Sequence, residues 1–174
     1  AFIIHLERAI ERKDNVTRLQ QDIGRLTGLH VHIVSAVDGK NLSQAEIASV
    51  YNKRMYEPHY PFDLSNGEVA CFLSHRKCWQ EIKDRKLDAA LIVEDDVLPT
   101  HDFPETYALI AKRMGPGDYI RMAKDTSETC YLSIGRSGSV SMFMPKATGL
   151  GMLAQIVTYD AAVTLLASTR QFDR

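Results

Sequence analysis

The sequence predicts an α/β protein, with a mostly parallel sheet flanked by helices in a single domain, and three observations carry that expectation. The run Ala89-Ala90-Leu91-Ile92-Val93 is too short for a long helix and reads as a strand buried on both faces, as in the middle of a parallel sheet. It ends abruptly in three carboxylates, Glu94-Asp95-Asp96. The opening third alternates strand, helix and strand, the pattern of parallel β-α-β units. No internal repeat or interdomain linker interrupts the 174 residues, a length that suits one domain with a substantial core.

The elements follow in order. Phe2 to Leu6 is a short apolar strand, and Arg12 to Leu26 is a helix whose Val16, Leu19, Ile23 and Leu26 form one stripe. Gly28 stops it. Val31 to Val34 is a second strand, followed by the turn Ala36-Val37-Asp38-Gly39. Ser43 caps a short helix running toward Tyr51, and Met55 to Asn66, with Pro58 and Pro61 and no regular period, is an irregular excursion. Gly67 to Lys86 carries the strongest helix signal. Ser65 and Glu68 have capping-box spacing, and Cys71, His75, Cys78, Trp79 and Ile82 share a face. Beyond the acidic triplet, Phe103, Tyr107, Ile110 and Met114 form another helical stripe, ended by Gly115-Pro116-Gly117. Asp118 to Met122 reads as a strand. Ala123 to Gly138 is polar, a mobile loop or a small hairpin around Tyr131 to Ile134. Leu150 to Val157 is strand-like, and Tyr159 to Ser168 is a helix.

Composition excludes several classes. With 45% hydrophobic and 25% charged residues the chain falls in the range of soluble globular proteins, and a net charge of -1 gives no electrostatic case for nucleic-acid or broad membrane binding. No apolar run approaches 18 residues, so no transmembrane segment is expected, and Ala1 opens on an apolar segment without a basic leader. Cys71, Cys78 and Cys130 leave an odd thiol and no CxxC pair, which favours a reducing compartment over a disulfide framework or zinc knuckle. Asn15-Val16-Thr17 and Asn41-Leu42-Ser43 match the N-glycosylation pattern, a signal of low specificity.

In open α/β sheets the ligand crevice lies outside the carboxyl ends of the strands, which is where the triplet falls. Three adjacent like charges repel one another and resist desolvation, and a divalent cation relieves that repulsion. Hard oxygen ligands suit Mg²⁺ or Mn²⁺. If extended geometry persists, alternation points Glu94 and Asp96 to one side and Asp95 to the other. Glu94 and Asp96 then grip the metal, and Asp95 meets a ribose or a helix N-terminus. The bland alternative is that one carboxylate caps a turn and the others are solvated.

The segment Gly67-Glu68-Val69-Ala70-Cys71-Phe72-Leu73-Ser74-His75, with Trp79 four residues on and Ala90-Leu91-Ile92-Val93-Glu94-Asp95-Asp96-Val97 beyond, resembles the signature of glycosyltransferase family 25. That family includes lipopolysaccharide and lipooligosaccharide galactosyltransferases of bacteria and the collagen galactosyltransferases. Phe2 to Leu6 with Arg8 and Arg12, and the Ala36 to Gly39 turn, are similar to its first strand and "AVDG" turn. The resemblance implies a GT-A-like, Rossmann-related fold, a UDP-sugar donor, a glycan acceptor and an acidic motif that holds the donor diphosphate through Mn²⁺ or Mg²⁺. It also implies a cytoplasmic protein, with peripheral association with the inner membrane left open. By motif position Asp95 and Asp96 become the catalytic carboxylates, with Asp96 the direct metal ligand and Glu94 assisting. Leu6, Arg8, Asp38, Glu68, Ser74 and His75 join Glu94 and Asp95 as donor-binding residues.

Each has a plainer reading. Arg8 and Arg12 can meet uracil, ribose or diphosphate, or be a solvated helix start. Asp38 can accept from a ribose hydroxyl, or the Asp-Gly pair can merely make the turn. Glu68 can serve only as a cap, His75 can be a satisfied core histidine, and Trp79 reads as core packing. Two departures from the family pattern stand out. Ala70 replaces a usual Gly, and Gln155 sits where Tyr is frequent, which unsettles acceptor-side contacts. The family continues past Gln171-Phe172-Asp173-Arg174 into a Pro-x-Asp segment, so a catalytic carboxylate is expected beyond the stretch read here. An inverting transfer needs a general base, and Asp125 and Glu128 are the candidates. Haloacid-dehalogenase-type and receiver folds want acidic residues at the end of the first strand, where this chain has His5-Leu6-Glu7-Arg8. The rival that remains is a degenerate member that binds a nucleotide sugar or a partner without turnover.

Overall fold

The structure is a computed structural model describing residues 1–122 and 127–173. Its main sheet has five strands in the order β2-β1-β3-β7-β4. β1 (Phe2–His5) is buried along its whole length and pairs in parallel with β2 (His32–Ser35) on one side and β3 (Ala89–Glu94) on the other. β7 (Ala154–Thr158) runs antiparallel to both β3 and β4 (Tyr119–Met122). The sheet is therefore mixed, with β7 reversed against the other strands. The physical reason is local: among the described residues no crossover helix carries the chain from β4 to β7, and parallel neighbours need one. In its place stands a hairpin of β5 (Cys130–Ser137) and β6 (Val140–Pro145).

Period-two alternation sorts the core into two layers. Phe2, Ile4, Ala90, Ile92 and Val157 face Cys78, Trp79 and Ile82 of α3 (Asn66–Asp84) and Ala161 and Ala162 of α5 (Tyr159–Ser168). Ile3, Leu91, Val93 and Ile156 face Val16, Leu19 and Ile23 of α1 (Lys13–Thr27) and Ile110 of α4 (Phe103–Arg113). β3 is thus covered on both faces. Helix ends follow their sequence signals: Gly28 takes the left-handed conformation at φ 73° after α1. Ser43 and Ser65 form complete capping boxes with Glu46 and Glu68 before α2 (Gln44–Val50) and α3.

Element bounds shift by one or two residues, as in α3, which ends at Asp84 where the pattern ran to Lys86, and three further differences have a physical reason. β7 begins at Ala154, and the segment before it, with Gly151 at φ 95°, is loop. β2 ends one residue later than expected and is largely exposed, as an edge strand can be. The hairpin is longer than the Tyr131 to Ile134 stretch. Ser137 Oγ donates to Glu105 of α4 at 2.6 Å, and a side chain on Gly138, at φ 48°, would press on that same carboxylate at 2.9 Å.

The connections place a crevice. β1 leads outward to β2, and the chain then returns across β1 to β3, so neighbouring strands leave their carboxyl ends in opposite directions. At such a switch point a ligand crevice opens.

Candidate functional site

The carboxyl ends of β1 and β3, the Ala36 to Gly39 turn and the first turns of α3 enclose a cleft of about 180 Å³. Leu6, Arg8, Ser74, His75, Glu94 and Asp95 all line it, together with Arg12. Gly39 explains why the turn can sit there. A Cβ on Gly39 would lie 2.6 Å from the Asn66 carbonyl oxygen and 2.8 Å from its carbon, so the backbone of the turn touches the backbone at the start of α3. Ser74 locks that approach: its hydroxyl accepts from the Val37 N–H at 2.8 Å and donates to the Ala70 carbonyl at 2.7 Å. Ser74 is 1% exposed, a strut between turn and helix.

Strand alternation does not continue through the acidic triplet. β3 ends at Glu94, and Asp95 and Asp96 form a turn. Glu94 faces α3, where Oε1 accepts from His75 Nε2 at 3.0 Å and from Cys71 Sγ at 3.6 Å. No donor among the described residues reaches Oε2. The His75 hydrogen bond, outweighing burial, holds the Glu94 carboxyl below its ordinary range. Asp95 turns to β1 and α1. Its Oδ2 accepts from His5 Nδ1 at 2.6 Å and its Oδ1 from Arg12 Nη1 at 2.8 Å, and Asn15 Nδ2 donates to its carbonyl at 2.7 Å. Both oxygens are engaged, Oδ2 in an almost fully buried pair with His5 and Oδ1 with the half-exposed Arg12, so Asp95 holds the site together and offers little to a ligand directly. His5 Nε2 is buried without a partner among the described residues.

Asp96 is half exposed, touches Arg12 only at 3.4 Å, and lines a separate depression of about 550 Å³ with Val93, Leu98, Phe103 and Leu153. Glu94 and Asp96 therefore line different depressions, contrary to the expectation from alternation. Arg8 and Asp38 pair at 2.7 Å, and Asp38 also accepts from Lys40 N at 2.9 Å; the Arg8 hydrogen bond holds the Asp38 carboxyl low. Turn-making and side-chain recognition thus coexist in Asp38. Glu68 is not among the lining residues. Its carboxylate is spent on Ser65 as the cap, the plainer of its two readings.

The family comparison adds to this geometry. A model of glycosyltransferase family 25, described as an LPS biosynthesis protein family, matches residues 1–172. The chain belongs to glycosyltransferase family 25. Among its relatives, human procollagen galactosyltransferase 2 is 36% identical over 107 residues, covering 59% of this chain and 16% of that protein. The mouse protein of the same name is 38% identical over 108 residues, with the same coverage. A glycosyltransferase 25 family member of Aedes aegypti is 29% identical over 125 residues, 68% of this chain and 20% of that one. The chain thus spans at most about a fifth of the length of these curated relatives. Its mixed α/β sheet flanked by helices is consistent with a GT-A-like fold.

In this family 25 chain Gln155 is 0% exposed and lies between Trp79 and His75 in the core. Glu128, a general-base candidate, is 7% exposed, and its Oε1 accepts from Arg121 at 2.6 Å and from the Gly149 N–H at 2.8 Å, which fastens the loop before β7. Asp125 lies outside the described residues. Cys71 is the site residue that sequence reasoning passed over. Burial, followed by the Glu94 charge, pushes its thiol up to about 12. Its Sγ, His75 Nε2 and Glu94 Oε1 lie within 4.8 Å of one another. For Mn²⁺ or Mg²⁺, which prefer oxygen ligands, the open carboxylate oxygens are Glu94 Oε2 in the cleft and the half-exposed Asp96 in the other depression, so the two do not line one site.

Proposed function

We propose that this domain transfers a hexose, galactose in the first instance, from a UDP-sugar to a glycan acceptor of the lipopolysaccharide or lipooligosaccharide type, with inversion and with help from a divalent cation. The observation that carries the reading is the convergence of Leu6, Arg8, Arg12, His75 and Glu94 on one cleft at the switch point of a family 25 chain. Galactose follows from the names of the procollagen relatives, and the lipopolysaccharide acceptor from the family description. A cytoplasmic location belongs to the same proposal and is supported by three free thiols.

The chemistry suits the residues. As the anomeric carbon loses its diphosphate, negative charge grows on the phosphate oxygens and must be neutralised. Arg8 and Arg12 stand at the cleft rim, each about half exposed, with guanidinium forks matched to phosphate. Asp38 orients Arg8, and Asp95 orients Arg12, so both cations are held before a donor arrives. Asp96, outside the cleft, and Glu94 Oε2, inside it, are the carboxylate groups free to take a divalent ion, which would supply Lewis-acid stabilisation of the leaving diphosphate. Leu6 gives the cleft an apolar wall.

Calorimetric titration with UDP-galactose, UDP-glucose and UDP, with and without Mn²⁺, combined with a donor-hydrolysis assay, tests the reading. Mn²⁺-dependent binding with slow release of free galactose is the expected result. Binding without turnover points to the degenerate alternative, and no binding of any UDP ligand removes the proposal.

A further inference from the structure

Trp79, Gln155, His75 and Glu94 form one line of hydrogen bonds from the core to the cleft. Trp79 Nε1 lies 3.3 Å from Gln155 Oε1, Gln155 Nε2 lies 2.7 Å from His75 Nδ1, and His75 Nε2 lies 3.0 Å from Glu94 Oε1. The first three residues are at most 2% exposed, so bulk water replaces none of these partners. An indole N–H is only a donor, which fixes the end of the amide that faces it as the carbonyl oxygen. The NH₂ group is then turned to His75 and donates, so Nδ1 is the accepting nitrogen. A neutral imidazole has one acceptor and one N–H, and its partners assign the proton to Nε2, from which it is donated to Glu94.

We infer that Gln155, oriented by Trp79, is a positioning residue that holds His75 as the Nε2–H tautomer, making His75 a fixed donor to Glu94 and barring it from ligating a metal. The Cys71, His75 and Glu94 group has the donor atoms of a zinc-type site, but its histidine is set the wrong way. A metal needs the Nε2 lone pair, and ligating histidines give their other N–H to a carboxylate or carbonyl. Moving the proton to Nδ1 sets it against the Gln155 NH₂. Flipping the amide sets that NH₂ against the Trp79 N–H instead. Either arrangement leaves two donors facing each other in a dry core. The functional consequence rests on the reading that Glu94 serves the donor: with Oε1 held by His75, the carboxylate presents Oε2 to the cleft in one orientation.

Histidine ¹⁵N-labelled protein, observed by two-bond ¹H–¹⁵N correlation, reports which ring nitrogen carries the proton. The intact chain should show His75 protonated at Nε2 and bare at Nδ1. Gln155→Glu keeps the shape but offers Nδ1 an acceptor, so Nδ1 should become protonated. The same variant should then bind one equivalent of Co²⁺ with a thiolate-to-cobalt absorption band, lost when Cys71→Ser is added. The unsubstituted chain should show no such band at the same concentration. If Gln155→Glu does not fold, Trp79→Phe carries the test, because freeing the amide should replace the single tautomer by a mixture. A bare Nε2 in the unsubstituted chain, a Cys71-dependent cobalt band in it, or an unchanged tautomer in the folded variants overturns the inference. None of these readouts needs a sugar nucleotide, so failure of UDP-sugar binding with the tautomer intact counts against the transferase reading alone.

Discussion

Asp95 Oδ2 lies 2.6 Å from His5 Nδ1, tying the end of β3 to the end of β1 across 90 positions of sequence. Its second oxygen takes Arg12 at 2.8 Å, so one carboxylate fastens two strand ends and the start of α1. Asp96, the next residue, has 48% of its side chain exposed and among the described residues pairs only with Arg12, at 3.4 Å. Two adjacent acids therefore have opposite worth to the fold. Asp95→Ala leaves His5 buried without its partner and should lower the unfolding free energy by about 3 kcal/mol, whereas Asp96→Ala should stay within about 0.5 kcal/mol. Urea unfolding at pH 7 measures both, and equal losses would contradict the assignment.

That contrast shows what the sequence made legible. The β3 run, the capping box of Ser65 and Glu68 and the stripe of α1 each encode a local regularity, and each element stands where its pattern put it. Alternation could not reach Asp96, because the period-two rule holds only while the backbone is extended and β3 ends at Glu94. The partners of Asp95 and the line through Gln155 join residues 76 to 90 positions apart, a proximity that no local pattern carries. The hairpin was legible only as an alternative to a loop, and over a shorter stretch, for another reason. Cys130 to Ser133 are exposed, and Gly135 interrupts β5, so its polar composition resembles a loop.

Gly39→Ala should damage both fold and site. The added methyl would meet backbone atoms of Asn66 at 2.6 and 2.8 Å, and neither the turn nor the capped start of α3 has a flexible end that can yield. Overpacking of this kind costs about 1–3 kcal/mol. Because the turn carries Asp38, and Asp38 holds Arg8, UDP binding should weaken along with thermal stability. A loss of stability with full UDP affinity would separate the turn from the ligand site.

The three thiols should differ sharply in reactivity. Burial pushes Cys71 and Cys78 up to about 12, so at pH 8 roughly one part in ten thousand of either is thiolate, the reactive form. Cys71 and Cys130 are both exposed and Cys78 is buried, so access does not separate the first two, and the high Cys71 value is the reason Cys130 should take iodoacetamide first. Glu94 is a secondary cause of the high Cys71 value, and its negative charge disfavours the thiolate. Glu94→Gln should therefore lower the Cys71 pKa and speed its alkylation at pH 9, while Cys78, raised by burial and the Glu81 charge, keeps its rate. Peptide mass mapping over a time course reads all three sites, and unaltered Cys71 labelling would contradict the Glu94 contact.

Asp96→Asn should abolish the Mn²⁺-dependent part of UDP-sugar binding while leaving the fold intact. Of the three carboxylates, Asp95 has both oxygens engaged and Glu94 has one, whereas Asp96 faces solvent and meets only the long Arg12 contact. It is the group freest to take a cation, and replacing one carboxylate oxygen by an amide removes the charge without changing the shape. Binding of UDP-galactose measured by calorimetry should weaken at least tenfold in Mn²⁺, about 1.4 kcal/mol, and match the unsubstituted chain in EDTA. Glu94→Gln should weaken it as well, since its single amide oxygen stays held by the His75 N–H and the NH₂ group then faces the cleft. Mn²⁺-dependent affinity that survives in Asp96→Asn would move the metal to other ligands and leave Arg8 and Arg12 as the main neutralising groups for the diphosphate.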